Sequence, residues 1–443
     1  MICTQNYGLT YLNKNISLAS KPGQTTLKPR GLKMKSYKNS DKIPPIMIGS
    51  STPKEWRVPL IDWDRPPWNR WSFQNIRQIL PTANIKHDRN YISSLKYNLQ
   101  NIEDVTFDDV NGDNTTVSKM LNDTYTDGFL VHIDGEVIHE SYYNGMQPNS
   151  LHIAQSVSKS VTSTVAGILI GRGLLDPNEL ITHYLPELRN TAWDGAKLQH
   201  VFDMTSGVKF GEEYDVRNSD IGKMDVASNW KPIPEGSDPN EYWPSCVWDQ
   251  MLTLKEKEVE HGERFLYRSI ETDVIAHAME RVTGKKLADL ISDELWQKMG
   301  AEDDANITVD SSGYGLSCGG ISSSLRDFAR LGILHLNDGA LDGNQIIPTD
   351  WIDDIRSGNH GLHNDALRTT LPNGKYRNQF WVEDKDKTTV MCIGVFGQLI
   401  YIAPEYNMVV VKFSTWPDFL DDAHKINTLS AIHAIAKHQK TKG

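Results

Sequence analysis

The clearest pattern of apolar and polar positions begins at Phe129. Phe129-Leu-Val-His-Ile133, Asp134-Gly135 and Glu136-Val-Ile-His-Glu140 predict two strands joined by a two-residue turn, because Asp-Gly supplies the positive φ angles of a tight hairpin. Val157, Val161, Val165, Ile168 and Leu169 then recur at helical spacing and stop at Gly171 and Gly173, predicting a long helix with one apolar face. Residues 175 to about 300 read as helices and loops, including 270–282 and 287–299, and further helices are predicted over 325–336 and 351–355. Strand-like segments return at 390–396, 398–402 and 408–413, with Pro404-Glu-Tyr-Asn407 as a turn. A closing helix over about 420–438 places Ile426, Leu429, Ile432 and Ile435 on one face. Strands from both chain ends around a helical middle predict an α/β (α+β) fold, an antiparallel sheet flanked by helices with an all-helical subdomain inserted at about 175–300.

A chain of 443 residues, 39% hydrophobic and carrying 12 Trp, is long enough to bury a large core and reads as globular. Its net charge of −11 argues against a nucleic-acid partner. Residues 1–50 are the exception, with eight Lys/Arg against one acid, Asp41. We therefore expect a basic N-terminal extension over 1–60, disordered or wrapped on the surface, and one composite domain over 61–443. Within it, Trp63, Trp68 and Trp71 stand among Pro59, Pro66 and Pro67 and predict a structural clasp packed on the main body. No apolar run reaches the roughly 20 residues of a membrane span, and no compact apolar leader precedes the domain, so a cytoplasmic location without membrane attachment is expected. The four cysteines (Cys3, Cys246, Cys318, Cys392) show neither a disulfide pattern nor a zinc spacing.

The first candidate chemistry is Ser156-Val-Ser-Lys159. A serine hydroxyl needs a base to become a nucleophile, and a lysine serves if burial lowers its pKa. Three residues apart on a helix, the two side chains share a face. A serine at the helix start also has free backbone N–H groups nearby for a developing oxyanion. The bare pattern Ser-x-x-Lys occurs five times, starting at Ser51, Ser93, Ser156, Ser206 and Ser228, and context selects Ser156: it alone opens a long apolar-faced helix after a hairpin. Tyr267-Arg-Ser269 precedes the predicted helix 270–282 and offers a tyrosine for proton relay, although alone it reads as a packed aromatic. In Ile393-Gly-Val-Phe-Gly-Gln398, read as an edge strand, two glycines suggest close approach of backbone to a ligand, or else a bulge. His360-Gly-Leu-His363 has a metal-compatible spacer but no partners nearby, and Arg268, Glu256, Glu258 and Glu260 read as surface charges.

In that order, Ser156-Val-Ser-Lys159, Tyr267-Arg-Ser269 and Gly394-Val-Phe-Gly-Gln398 resemble the serine β-lactamase/penicillin-binding-protein superfamily. The branch they resemble most is that of the 6-aminohexanoate-dimer (nylon-oligomer) hydrolases. The likeness runs from about Pro66 to Pro417 and includes Thr124-Tyr-Thr-Asp127, Glu280-Arg-Val-Thr-Gly284, Gly319-Gly320 and Ser414-Thr-Trp-Pro-Asp418.

The resemblance implies a β-lactamase-like fold and an acyl-enzyme mechanism without metal or cofactor. It makes Ser156 the nucleophile, Lys159 its base and Tyr267 the proton-transfer partner. The Ser156 and Val395 amides become the oxyanion donors, Tyr214 a loop tyrosine closing over substrate, Asp225 an acid for a substrate ammonium and Trp381 a pocket wall. Cys318 stands where efficient members carry Asn, and Leu316 where an aromatic is found. Val395-Phe396-Gly397 replaces the Lys-Thr-Gly motif that grips a β-lactam carboxylate, which disfavours β-lactams. The expected substrate is a small amide or ester, and the expected assembly to test is a homodimer. The alternatives are a carboxylesterase or acyltransferase on the same residues, or a non-catalytic penicillin-binding-like sensor.

Overall fold

Asp134 and Gly135 turn the chain with φ of 50° and 87°, and the strands on either side, Thr126–Ile133 and Glu136–Tyr142, pair antiparallel as their pattern predicts. The computed structural model describes residues 37–358 and 370–441. The last strand in sequence, Met408–Ser414, lies beside Thr126–Ile133 with Met408 opposite Ile133, so the two chain ends close one sheet. Across its seven strands the order is 375–377, 380–382, 390–394, 398–403, 408–414, 126–133 and 136–142. Val157–Gly171 and Leu325–Leu336 pack on one face and Asp422–Lys440 on the other, so both faces of the sheet are buried in apolar clusters. Between 154 and 304 the described chain is helical or irregular, with only isolated bridges.

Several elements differ from the sequence pattern. The helix Val157–Gly171 is buried around its whole circumference, not along one face. Its polar positions are satisfied internally: Ser160 Oγ donates to the Gln379 carbonyl at 2.8 Å and Ser163 Oγ to that of Asn378 at 2.6 Å. Residues 393–398 are not an edge strand but the tight reversal between two inner strands, Val390–Gly394 and Gln398–Ala403. The predicted helix 287–299 is α-helical only over Leu287–Ile291 and widens into a π turn at Ser292–Trp296. A second, four-stranded sheet of Thr82–Ile85, Ala305–Thr308, Ile321–Ser323 and His152–Ile153 has strands too short for periodicity to reveal.

The tryptophan-rich segment packs inward, with Trp63 fully buried against Trp230 at 5.2 Å. Asn69 Nδ2 donates to the Trp416 carbonyl at 2.9 Å, and Arg70 donates to Asp127 at 2.9 Å and to Thr415 at 2.5 Å. Upstream, Asn39 Nδ2 donates to the Thr126 carbonyl at 2.6 Å. Arg268 is not a surface charge: it is fully buried, 3.4 Å from Glu271 and 3.5 Å from Glu258, whereas Glu256, Glu258 and Glu260 are exposed. Cys3, His360 and His363 lie outside the described residues.

Candidate active site

The small sheet holds the segment before Ser156. His152–Ile153 pairs with Ile321–Ser323, and Gln155 adopts φ 51°, a left-handed conformation that turns the chain sharply into the helix. Ser156 is the cap residue of that helix, as its position in the sequence suggests. One turn on, Lys159 is 1% exposed and its ammonium finds three acceptors: Ser156 Oγ at 2.9 Å, Ser269 Oγ at 3.2 Å and the Cys318 carbonyl at 2.7 Å. Three N–H groups meet three oxygens, so the buried charge is fully hydrogen-bonded.

Tyr267 sits beside this cluster, its ring centroid 5.1 Å from Lys159 Nζ. Trp381 stacks on the Tyr267 ring at 5.8 Å and 17°, so it supports the tyrosine, and it is not among the side chains lining the cavity at Ser156. Burial raises the Tyr267 phenol above its ordinary value, although Lys159 and hydrogen bonding to Ser156 pull the other way. Lys159 departs from the expectation of a lowered pKa. Burial does push it down, but Tyr267, Cys318 and Glu212 outweigh that and hold the ammonium above its ordinary value.

Glu212 was not singled out in the sequence. Its Oε1 accepts from Ser269 Oγ at 2.5 Å and from the Tyr214 hydroxyl at 2.7 Å, while Oε2 accepts from the Ser269 amide at 3.0 Å. Burial raises its carboxyl, with Lys159 and these hydrogen bonds opposing. The only sequence signal was Gly211-Glu-Glu-Tyr214 itself, which no spacing rule ties to residues near 159 and 269.

A narrow cavity of about 60 Å³ opens over Ser156 and Lys159, walled by Tyr214, Trp230, Leu316 and Val395. It adjoins an outer chamber of about 240 Å³, and Arg65, Tyr214, Asp225 and Lys231 line both. Asp225 lies on the helix Asp220–Ala227 and faces the cavity, but it already has a partner: Lys231 Nζ is 3.0 Å away. The same ammonium is 2.9 Å from Asp64, and Arg65 pairs with Asp215 at 3.3 Å. The tryptophan-rich clasp therefore reaches the cavity through Asp64 and Arg65, beyond the purely structural role its composition suggested. Cys318 contributes its carbonyl to Lys159, and burial drives its thiol well above the usual range, next to Asp273.

The reversal at 394–397 completes the wall. Phe396 adopts φ 62° and its amide donates to the Phe419 carbonyl at 2.9 Å. The close approach made by its glycines is to the protein's own chain: a Cβ on Gly394 would lie 2.5 Å from the Ala154 carbonyl oxygen, and one on Gly397 would lie 2.3 Å from Trp416. Among the described residues no group of three or more His, Cys, Asp or Glu could hold a metal ion, and no helix is long and apolar enough to cross a membrane.

Comparison with known proteins agrees with this arrangement. The Beta-lactamase family profile matches residues 121–435. The 6-aminohexanoate-dimer hydrolase of Paenarthrobacter ureafaciens is 33% identical over 363 residues, 81% of this chain and 89% of that protein. A Bacillus anthracis structure designated a candidate 6-aminohexanoate-dimer hydrolase superposes with a TM-score of 0.78 at 28% identity, covering 88% of this chain and 99% of its own. EstCE1, described as a hydrolase with promiscuous acyltransferase activity, shares the fold at a TM-score of 0.55 and 15% identity over 71% of this chain and 98% of its own. The chain thus belongs to the β-lactamase family, as a serine hydrolase with the α/β fold of that family.

Proposed function

We propose that this enzyme cleaves amide or ester bonds of small linear substrates through an acyl-enzyme on Ser156. The observation that carries the reading is the 2.9 Å contact between Ser156 Oγ and a buried Lys159 Nζ that also meets Ser269 and Cys318. In the acylation step Ser156 Oγ attacks the carbonyl carbon while its proton passes to Lys159, and the developing oxyanion is received by the backbone amides of Ser156 and Val395. Tyr267 relays a proton to the leaving amine or alcohol, Tyr214 contacts the scissile group from the cavity wall, and water then releases the acid from Ser156. The narrow inner cavity with a wider charged chamber beyond it favours a slender chain over a bulky bicyclic ring.

The contact between Lys231 and Asp225 favours a second substrate reading, short neutral esters over amides bearing a free ammonium, because the acid is already engaged. The enzyme is proposed to act in the cytoplasm on small molecules. A homodimer remains the assembly to test by light scattering.

The deciding experiment is labelling with a fluorophosphonate followed by peptide mapping, alongside turnover of p-nitrophenyl esters, aminohexanoate dimers and a chromogenic cephalosporin. One label per chain at Ser156, with ester turnover exceeding cephalosporin turnover, is expected. Absence of label at Ser156 would remove the proposal and favour a non-catalytic sensor. The cephalosporin should be poorest because the 394–397 reversal carries no cation, Lys159 is engaged by Ser156, Ser269 and Cys318, and the other two cations lining the cavity, Arg65 and Lys231, are both paired with acids.

A further inference from the structure

A lysine held protonated cannot accept the Ser156 proton, so the reading above requires a route by which Lys159 is discharged. The hydrogen bonds supply one. Lys159 Nζ donates to Ser269 Oγ at 3.2 Å, and Ser269 Oγ donates to Glu212 Oε1 at 2.5 Å. Both separations are short enough for proton transfer between heavy atoms. We propose that Glu212, acting through Ser269, is the proton acceptor that discharges Lys159 and arms it as the base for Ser156.

The step balances without any outside donor or acceptor. One N–H proton moves from Lys159 to Ser269 Oγ as the Ser269 hydroxyl proton moves to Glu212 Oε1. An ammonium–carboxylate pair becomes an amine–carboxylic acid pair, and the Ser269 hydroxyl is regenerated. Rotation about the terminal C–N bond turns the new lone pair of Nζ toward Ser156 Oγ, 2.9 Å away, whose proton it then accepts.

Substrate binding favours this direction. Filling the cavity excludes water from a site where Lys159 is 1% exposed, and low dielectric disfavours separated charge relative to the neutral pair. A substrate group that draws the Tyr214 hydroxyl away from Glu212 Oε1 also removes one of the three hydrogen bonds that stabilise the carboxylate, making it a better acceptor. Glu212 is therefore a positioning residue for the proton and does not itself touch Ser156. The ionisable groups that face the pair are Tyr214, Tyr267, Cys318 and Asp273; Asp273 is taken up by the Tyr314 and Ser317 hydroxyls, and Glu212, which accepts both the amide and the hydroxyl of Ser269, is the carboxylate placed to receive the proton.

This inference rests on the reading of Ser156 as the nucleophile, and the pH dependence of kcat/KM for a p-nitrophenyl ester separates the two. In the wild type the lysine is discharged internally, so the acid limb reports protonation of the Glu212–Lys159 pair. In Glu212→Gln the lysine must lose its proton to bulk water. We expect a loss of about 100-fold at pH 7, a typical worth for one acid–base contribution, and an acid limb moved upward by a pH unit or more. A carboxylate that only raised the Lys159 pKa would give the opposite sign, since its removal would move the limb downward. A downward shift or an unmoved limb overturns the relay. Ser269→Ala breaks the route while keeping the carboxylate and should reproduce the upward shift, so the relay stays testable where Glu212→Gln lowers stability. Failure of the wild type to label at Ser156 would strike the underlying reading instead.

Discussion

Gly394 and the carbonyl of Ala154 are in backbone contact, so close that a side chain on Gly394 would begin 2.5 Å from that oxygen. This contact sets the reversal carrying Val395 against the turn carrying Ser156. Gly394→Ala should therefore separate the two amides proposed as oxyanion donors. Overpacking of this kind typically costs about 1–3 kcal/mol, so the melting temperature should fall by several degrees. Activity should fall much further, because one misplaced oxyanion donor costs about 100-fold or more in kcat. A variant with lowered Tm and unchanged kcat would show that the contact serves packing alone.

Ser156→Ala should abolish turnover of every substrate while leaving the circular dichroism spectrum unchanged, since the side chain lies at the rim of the cavity. Lys159→Met should lose nearly as much activity. Its stability is the informative readout, because removal of a buried ammonium leaves the oxygens of Ser156, Ser269 and Cys318 without their donor. Activity that merely moved to a different pH optimum in Lys159→Met would contradict its role as the base.

Lys231 bridges Asp64 and Asp225, so the carboxylate expected to receive a substrate ammonium is shared with an internal one. Asp225→Ala in the wild-type background should therefore change the selectivity between aminohexanoate dimers and neutral esters only slightly. The double variant Lys231→Met/Asp64→Asn leaves Asp225 as a single unpaired acid of that triad. Its ratio of kcat/KM for the ammonium-bearing amide over the ester should rise by about 10- to 100-fold, the worth of one charge-assisted hydrogen bond. An unchanged ratio would show that Asp225 is out of reach of the bound substrate.

Burial raises the Glu271 carboxyl to about 8 from an ordinary value of 4.5, with Arg268 and Ser206 opposing. Across that interval the folded state holds a proton that the unfolded chain has released, so the group makes stability fall as pH rises from about 4.5 through about 8. Glutamine has no such proton. The stability of Glu271→Gln relative to wild type should climb through this window, by on the order of a few kcal/mol, and level off above it. Urea melts at pH 5, 7 and 9 check this, and a difference that stays constant with pH would mean that Glu271 is ionised in the fold throughout.

The sheet strands and the long helices were legible because each shows enough residues for a period of 2 or 3.6 to declare itself; the predicted 325–336 helix matches the observed Leu325–Leu336. The strands His152–Ile153 and Ile321–Ser323 were not, since two or three residues carry no period, yet they set the entry to Ser156 and flank the 318 carbonyl. Ser156 and Lys159 could be picked out because one helical turn fixes their relation. Glu212 and the Asp64–Lys231 pair could not, because Ser269 lies 57 positions from Glu212 and Lys231 lies 167 from Asp64, and only the folded chain brings them together. Arg268 misled for the reason that buried arginines usually do: its buried partner Glu271 reads as one more charged residue of an exposed helix face.

The clasp that brings Asp64 and Arg65 to the cavity is anchored at Asn69 and Arg70 by Trp416 and Thr415, some 345 positions downstream. On the ribosome, that wall of the cavity emerges among the first segments of the domain and waits for nearly the whole chain before its anchors exist. A nascent chain stalled short of residue 414 also lacks the strand that joins the two ends of the sheet. Hydrolytic competence should therefore appear abruptly, late in synthesis, rather than growing with chain length.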